Sequence, residues 1–517
     1  MIWNIPVELT ASERSIARHL TRVGKFYVFL REVRHQLFDV EFMAELEVAY
    51  GKPRGREPLP PAMLAMVTLL QAYDQVGDAE AVVTAKMDKR WQLVLGTLGQ
   101  EEAPFSQGVL VRFRERMVAH DLDRKLLDRT VRLARETGKF GWQSAKVALD
   151  SAPLLGAGRV EDTWNLIGRA LRKVVETLAH VLERDADELV ALLELDFLSA
   201  TSIKVGLNID WDDPAQRHTA LNRLLAAAER LQAWAREHAA EKASTPPLGT
   251  ALEDLERVVE QDIEPDPDGS TSSIKRGVHP DRMPSLGDRE MRHGRKSRSR
   301  LFNGYKRHIA ALAGEDLIIG AVVLPANQPE HLATSDLLED AQRHVPVDEL
   351  LIDRGYLASQ QVPRLRDEGV RVRCKPWRSQ NRGRFSKDAF SINLPEQKVI
   401  CPAGVVAPIT RNGKHAQFPA SSCEVCPRRV DCTEAAKGRT ISIHQHEEML
   451  QELRRDLATT AGRAALRQRV AVEHGLARLS RVQGPRARYR GTRKNTLDAR
   501  RNAAVVNLQA IARREAA

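Results

Sequence analysis

Lys146-Val-Ala-Leu-Asp150, followed by the small and turn-forming residues Ser151 to Gly158, reads as a short apolar strand that ends in a carboxylate. Much further along, Glu349-Leu-Leu-Ile-Asp353 repeats the arrangement and runs straight into Arg354-Gly-Tyr. Sheets with alternating helices commonly carry their chemistry at the carboxyl ends of strands. A rigid strand also holds a ligand more firmly than a loop does. Taken singly, an aspartate after a strand is more ordinarily a turn residue or a helix cap. The pair sets the frame for the rest of the chain.

Upstream, residues from about Ser12 to Lys139 are helical in pattern. Leu59-Pro-Pro-Ala-Met-Leu-Ala-Met-Val-Thr-Leu-Leu places prolines at a helix entrance, and Ser106 reads as the N-cap of a helix carrying Val109, Phe113 and Met117. The texture changes at Gly141. After the first strand, Thr163 to Leu195 and Pro214 to Glu241 are helical, and Ile263 to Asp288 is a loop rich in Pro, Asp, Gly and Ser. Strand texture returns at Tyr305-Lys-Arg-His-Ile-Ala-Ala-Leu and Leu317-Ile-Ile-Gly-Ala-Val-Val-Leu. A Pro-Ala-Asn-Gln-Pro turn leads into a helix from Glu330 to His344, then a helix from Ser359 to Glu368 precedes a strand from Val370 to Cys374. This alternation predicts an α/β layer with some parallel pairing. Residues Arg378 to Ile443 look irregular. A long helix from His446 to Val482, a basic segment and an apolar helix from Ala503 to Ile511 complete the chain.

At 517 residues the chain is long enough for two to four structural units. Its 79 Lys and Arg against 69 Asp and Glu give a net charge of +10, compatible with a polyanionic partner without requiring one. Met1-Ile-Trp-Asn-Ile-Pro lacks the basic lead and apolar stretch of a secretory signal. The strongest apolar runs, Pro61 to Tyr73 and Leu317 to Pro325, are too short for a bilayer. The expectation is a cytoplasmic protein with no membrane partner. Five cysteines in so large a chain do not make a secreted disulfide framework.

Several blocks in order carry a resemblance. Asp150-Ser-Ala-Pro-Leu-Leu-Gly-Ala-Gly-Arg-Val-Glu-Asp-Thr-Trp-Asn-Leu-Ile-Gly-Arg resembles the first-aspartate block of bacterial insertion-sequence transposases of the DDE type. Asp288-Arg-Glu-Met-Arg-His-Gly-Arg-Lys-Ser and Phe302-Asn-Gly-Tyr-Lys-Arg-His resemble their next block, and Asp353-Arg-Gly-Tyr their second-aspartate block. Arg469 and Glu473 are similar to the arginine and glutamate of the Tyr-Arg-Glu-Lys signature around the third carboxylate.

The resemblance implies a mixed α+β and α/β fold. In it a ribonuclease H-like mixed sheet is flanked by helices. The expected division is an all-helical N-terminal domain over 1–140, for binding DNA ends and dimerisation, and a catalytic domain over 141–517. A mainly helical insert at 165–300 and a small cysteine-rich insert at 378–445 would interrupt the latter. Asp150, Asp353 and Glu473 would be the catalytic residues and would bind Mg²⁺ (or Mn²⁺). They would cut the ends of an insertion sequence and join them to target DNA. The implied partners are double-stranded DNA, as terminal inverted repeats and target, and further copies of the chain in a homodimer or higher assembly at the nucleoid.

Metal-ion phosphoryl transfer needs converging carboxylates because hard cations take oxygen ligands. Arg469 and Glu473 are spaced i and i+4 beside an apolar stripe of Val472, Leu476 and Leu479, a pattern that alone also describes a surface ion pair. Glu447, Glu448 and Glu452 are rival acids on the same expected helix, and Glu161 and Asp162 are rivals better suited to capping the helix near Thr163. Two positions depart from the signature. Leu466 stands in place of its tyrosine and Ser480 in place of its lysine, with Arg478 and Arg481 as nearby substitutes.

Two basic runs are candidate DNA contacts. One holds Arg292, Arg295, Lys296, Arg298 and Arg300, with Lys306 beyond it. The other holds Arg486, Arg488, Arg490, Arg493 and Lys494 around Tyr489, an aromatic available for stacking. Arg469 joins them through the signature. Solvated charged loops have the same composition. Cys401, Cys423, Cys426 and Cys432 are spaced C-x21-C-x2-C-x5-C, which suits either a structural Zn²⁺ or four reduced, unliganded thiols. Cys374 reads as core packing. Two other functional readings stay open: a metal-dependent DNA nuclease without strand transfer, and a DNA-binding remnant without chemistry.

Overall fold

The computed structural model describes residue 3 and residues 6–21, 23–50, 58–142, 145–297 and 299–516. The N-terminal region is helical and includes α1 (Lys25–Leu37), α2 (Pro61–Asp74) and α3 (Leu122–Glu136). The proline pair opens α2 as the sequence predicts, since proline costs no hydrogen bond at the first helical position. Pro61 to Ala72 are all buried, which is why that helix is apolar on every side. Ser106 precedes the helix Gln107–Ala119, but its side chain makes no capping bond.

Six strands form one curled mixed sheet: β1 (Ala145–Leu155), β2 (Arg292–Arg295), β3 (Leu301–Leu312), β4 (Leu317–Pro325), β5 (Val347–Leu351) and β6 (Arg371–Arg373). The order is β2-β3-β1-β5-β6, and β4 also pairs with β3. On one side of β1 the pairing is antiparallel, through β3. On the other it is parallel, through β5 to β6.

β1 runs on to Leu155, well past the carboxylate where the sequence suggests that it ends. Pro153 is tolerated inside it because β5 accompanies β1 only as far as Ala148. Beyond that point β1 has an outer edge, where Leu155 N–H donates to the Pro485 carbonyl at 2.9 Å. Pro153, two residues earlier, turns its missing donor to the same edge.

α4 (Thr163–Leu182), α5 (Pro214–His238) and α6 (Leu248–Asp262) pack together around a second, separate apolar core. Asp162 caps α4 by accepting the Asn165 amide at 2.9 Å, which accounts for that rival acid. The stretch from Ile263 to Asp288 contains a small hairpin, Ile263–Pro265 with Ser272–Ile274, where a plain loop was expected. The stretch from Arg378 to Ile443 likewise holds short strands. A three-stranded sheet and a two-stranded pair enclose a third small core around Phe390, Val399 and Phe418. Their strands are three residues long, below the length at which alternation is visible in sequence.

α7 (Thr334–Gln342), α8 (Val470–Gln483) and α9 (Thr492–Glu515) pack on the large sheet. The single long helix expected from His446 to Val482 is instead three: Glu447–Ala458, Thr460–Arg467 and α8. The first break falls at Thr459, which is extended and caps the next helix by accepting the Gly462 amide at 2.9 Å. The last helix is much longer than its apolar stretch. Its N-terminal half buries Asn495, Thr496, Asp498, Arg500, Arg501 and Asn502, so polarity hides the element from a hydrophobic pattern.

Those buried polar groups have a task. Among the described residues no further strand pairs with the outer edge of β4, and an unpaired edge leaves backbone groups unsatisfied. Side chains of α9 supply the partners. Asn507 accepts the Ile318 amide at 2.8 Å and donates to the Ile318 carbonyl at 2.8 Å and to Thr130 Oγ1 at 3.0 Å. Thr496 Oγ1 accepts the Val323 amide at 3.1 Å, and Arg500 Nε donates to the Ala321 carbonyl at 3.1 Å. One apolar core therefore runs from the N-terminal helices across α9 into the sheet. Asn507→Ala orphans two buried backbone groups and is expected to cost about 2–4 kcal/mol, measured as a lowered urea midpoint. A loss under about 0.5 kcal/mol would contradict the edge-capping role.

Candidate active site

The parallel register between β1 and β5 aligns the two aspartates. Ala148 pairs with Leu351, so Asp150 and Asp353 stand at matching positions two residues on, on neighbouring strands or just past them. Asp353 is two residues beyond the last residue of β5, and Asp150 lies where β1 loses β5 as a neighbour. Each carboxylate is oriented in the same way. Ser151 N–H donates to Asp150 Oδ1 at 2.8 Å, and Arg354 N–H donates to Asp353 Oδ1 at 2.6 Å. One oxygen of each is thereby fixed.

Glu473 comes from the first turn of α8, which lies across β1 and β3. Val472, Leu476 and Leu479 are buried against the sheet, and Gly475 lies against Ile309. Asp150, Asp353 and Glu473 line one open cavity of about 540 Å³, together with Arg469, Glu330, Arg295, Lys296, Lys306 and Ser480. The Arg469 guanidinium sits between two of the acids, 3.1 Å from Asp150 Oδ2 and 2.6 Å from Glu473 Oε1. Burial pushes the Asp150 carboxyl above its usual range. The Ser151 amide and Arg469 work against that push, and the Glu330 charge adds to it.

The rival acids are engaged elsewhere. Glu447 pairs with Lys387 and Arg454, Glu448 and Glu452 with Arg366, and Glu161 with Arg169. Nothing in the sequence singles out Glu330. It follows a proline-rich turn and reads there as the first residue of a helix.

A family model described as a transposase DDE domain matches residues 400–512, and one described as a transposase domain (DUF772) matches residues 17–116. Together the two matches support an insertion-sequence transposase of the DDE type. The first match takes in Glu473 and stops short of both aspartates. The second covers N-terminal helices. No curated protein and no solved structure matches the chain. No helix among the described residues is long and apolar enough to cross a membrane.

The basic residues of the chain divide into two groups. Arg295, Lys296 and Lys306 line the carboxylate cavity, and Arg300 is exposed just past Arg295 and Lys296. Burial pushes the Lys306 amine below its usual range, and its Nζ donates to the Gln328 carbonyl at 3.0 Å. Arg486, Arg490 and Lys494 are exposed. The others are tied into the fold. Arg292 is buried, with Nε 2.7 Å from Asp281 Oδ1; Arg488, though exposed, donates to the Val76 carbonyl; and Arg493 pairs with Asp123 at 2.5 Å. Arg298 lies outside the described residues. Tyr489 is no stacking platform, because Arg114 and Arg501 flank its ring.

Ser480, which replaces the signature lysine, does face the cavity, whereas the proposed substitutes do not. Arg478 pairs with Asp316 at 3.1 Å, and Arg481 lines a different groove beside Phe26 and Tyr73. Helical geometry separates them: residues 473, 476, 477 and 480 share one face of α8, and 478 and 481 are turned off it. Leu466 is half-buried on the preceding helix.

Cys401, Cys423, Cys426 and Cys432 are unpaired and line one small cavity beside Phe390 and Phe418. Burial pushes the Cys432 thiol up, and its three neighbours add to the effect. Among the described residues no three His, Cys, Asp or Glu side chains form a ready-made metal cage, either at these thiols or at the carboxylates. Cys374 is buried in the main core.

Proposed function

We propose that this transposase cuts the ends of its element and joins them to target DNA by metal-assisted phosphoryl transfer, with Asp150, Asp353 and Glu473 as the cation-binding carboxylates. The observation that carries this reading is the convergence of three acids, from β1, the segment just past β5 and a helix, on one open cavity rimmed by lysine and arginine. The sheet order β4-β3-β1-β5-β6, antiparallel on one side of β1 and parallel on the other, supports a ribonuclease H-like reading of the core.

The residues fit a divalent cation in donor chemistry. They offer hard carboxylate oxygens, and a positive charge already stands between Asp150 and Glu473 in the guanidinium of Arg469. Bound there, divalent cations would activate the attacking oxygen and stabilise the leaving one. The chain's own groups prepare the site. The Ser151 and Arg354 amides orient the aspartates, and Arg295, Lys296 and Lys306 hold phosphate oxygens along the rim. Arg469 balances the acids until a cation or a phosphate takes over that task.

Arg469→Gln therefore has a definite consequence. Metal would no longer compete with the guanidinium, so Mg²⁺ should stabilise the variant at concentrations on the order of tenfold lower than the wild type requires. The metal-free variant should melt earlier than the wild type. Thermal melting against Mg²⁺ concentration checks both effects, and an unchanged Mg²⁺ dependence would count against the competition.

DNA carrying the element's own ends tests the function. Incubated with the protein, Mg²⁺ and a target plasmid, it should yield joined product. Cleavage without joined product would favour the hydrolytic nuclease reading. Binding without either product would favour the non-catalytic one.

A further inference from the structure

We infer that Glu330 is a positioning residue of this site: its carboxylate clamps the segment bearing Asp150 to the segment bearing Asp353 and so sets the spacing of the two aspartates. The inference rests on the metal-binding reading above. Glu330 opens the turn Glu330–Ala333 directly before α7. Its Oε1 accepts a hydrogen bond from the Ser151 hydroxyl at 2.5 Å, one residue from Asp150. Its Oε2 lies so close to Gly355, two residues beyond Asp353, that a Cβ there would collide with it.

A Cβ at Gly355 would therefore push the Glu330 carboxylate out of its place. The Gly355 backbone is not in the left-handed region, so the Glu330 carboxylate is the group that a side chain there would meet. A second set of contacts ties the same two segments. Tyr356, next in the chain, is buried; its hydroxyl meets Ser151 and lies 2.8 Å from His308 Nδ1. Burial, helped by the Lys306 charge, pushes the His308 imidazole down to about 3, so this buttress is uncharged at neutral pH. Glu330 completes the network. Its carboxylate touches Ser151 and Gly355 and acts on the aspartates through them. Groups that orient metal ligands in this indirect way are commonly worth about 10–100-fold in metal affinity.

The test is Mn²⁺ binding to the full-length protein without DNA, followed by electron paramagnetic resonance. Glu330→Ala should weaken Mn²⁺ binding about tenfold or more. Glu330→Gln keeps an acceptor for Ser151 and should recover most of the affinity. Gly355→Ala should weaken binding as Glu330→Ala does, and combining the two should cost nothing further, because both changes break the same contact.

An E330A protein that melts like the wild type and binds Mn²⁺ as tightly overturns the inference. So does an E330Q protein as weak as E330A, which would make charge rather than position the cause. If E330A does not fold, Ser151→Ala carries the test. It removes a single oxygen, should weaken Mn²⁺ severalfold, and overturns the inference if its affinity is unchanged. A wild type that takes up no Mn²⁺ removes the metal-binding reading and this inference with it. A wild type that binds beside variants that bind equally removes this inference alone.

Discussion

Asp150→Asn is expected to lower Mg²⁺-dependent cleavage of end-containing DNA by about 10³-fold or more, while DNA binding is no weaker than in the wild type. The substitution keeps the shape of the side chain and its acceptor for the Ser151 amide, and removes the charge that faces Arg469. Because the fold around residue 150 is otherwise retained, the loss would report on chemistry. On the proposed reading binding rests on the basic rim of Arg295, Lys296 and Lys306, which the change does not touch. A gel-based cleavage assay run beside a binding titration separates the two. Residual cleavage within about tenfold of wild type would remove Asp150 from the reacting set.

The second large effect lies far from the chemistry. Asp123 on α3 is fully buried and holds Arg493 at 2.5 Å and Arg500 at 3.1 Å, both on α9. Arg500 in turn reaches the β4 edge through the Ala321 carbonyl. Asp123→Ala leaves a buried arginine short of a countercharge, a change that typically costs about 3–5 kcal/mol. Asp121 also pairs with Arg500, at 2.8 Å, which places the expected loss at the lower end of that range. The urea midpoint of the full chain reads this out. A loss below about 1 kcal/mol would mean that Asp121 alone satisfies both arginines.

These two predictions also mark where the sequence was informative. The runs leading to Asp150 and Asp353 were legible because buried central strands read as apolar runs, although β5 itself stops at Leu351, two residues short of Asp353. The apolar stripe Val472, Leu476 and Leu479 faces the sheet as its spacing required. Asp150 was legible as a candidate, but its place in the middle of β1 was not. A proline normally breaks a strand, and only the tertiary fact that β5 stops at Ala148 explains why Pro153 does not.

α9 was mostly invisible, because its buried face is built from Asn, Thr and Arg that bond to β4. The break at Thr459 depends on a local capping choice that helical periodicity does not encode. Glu330 was beyond reach for a different reason: its partner Ser151 is 179 residues away in the chain. Of the basic runs, composition could not tell Lys296, on the cavity rim, from Arg292, which is buried against Asp281. Both are cations in the same basic run, and only packing distinguishes them.

Anomalous diffraction from crystals of the protein grown with Mn²⁺ tests the central claim most directly. The account predicts a Mn²⁺ peak within ligand distance of Asp150 and Asp353, with Arg469 drawn away from Asp150. Ordered Mn²⁺ held only by other side chains, with Arg469 still seated between Asp150 and Glu473, would contradict it.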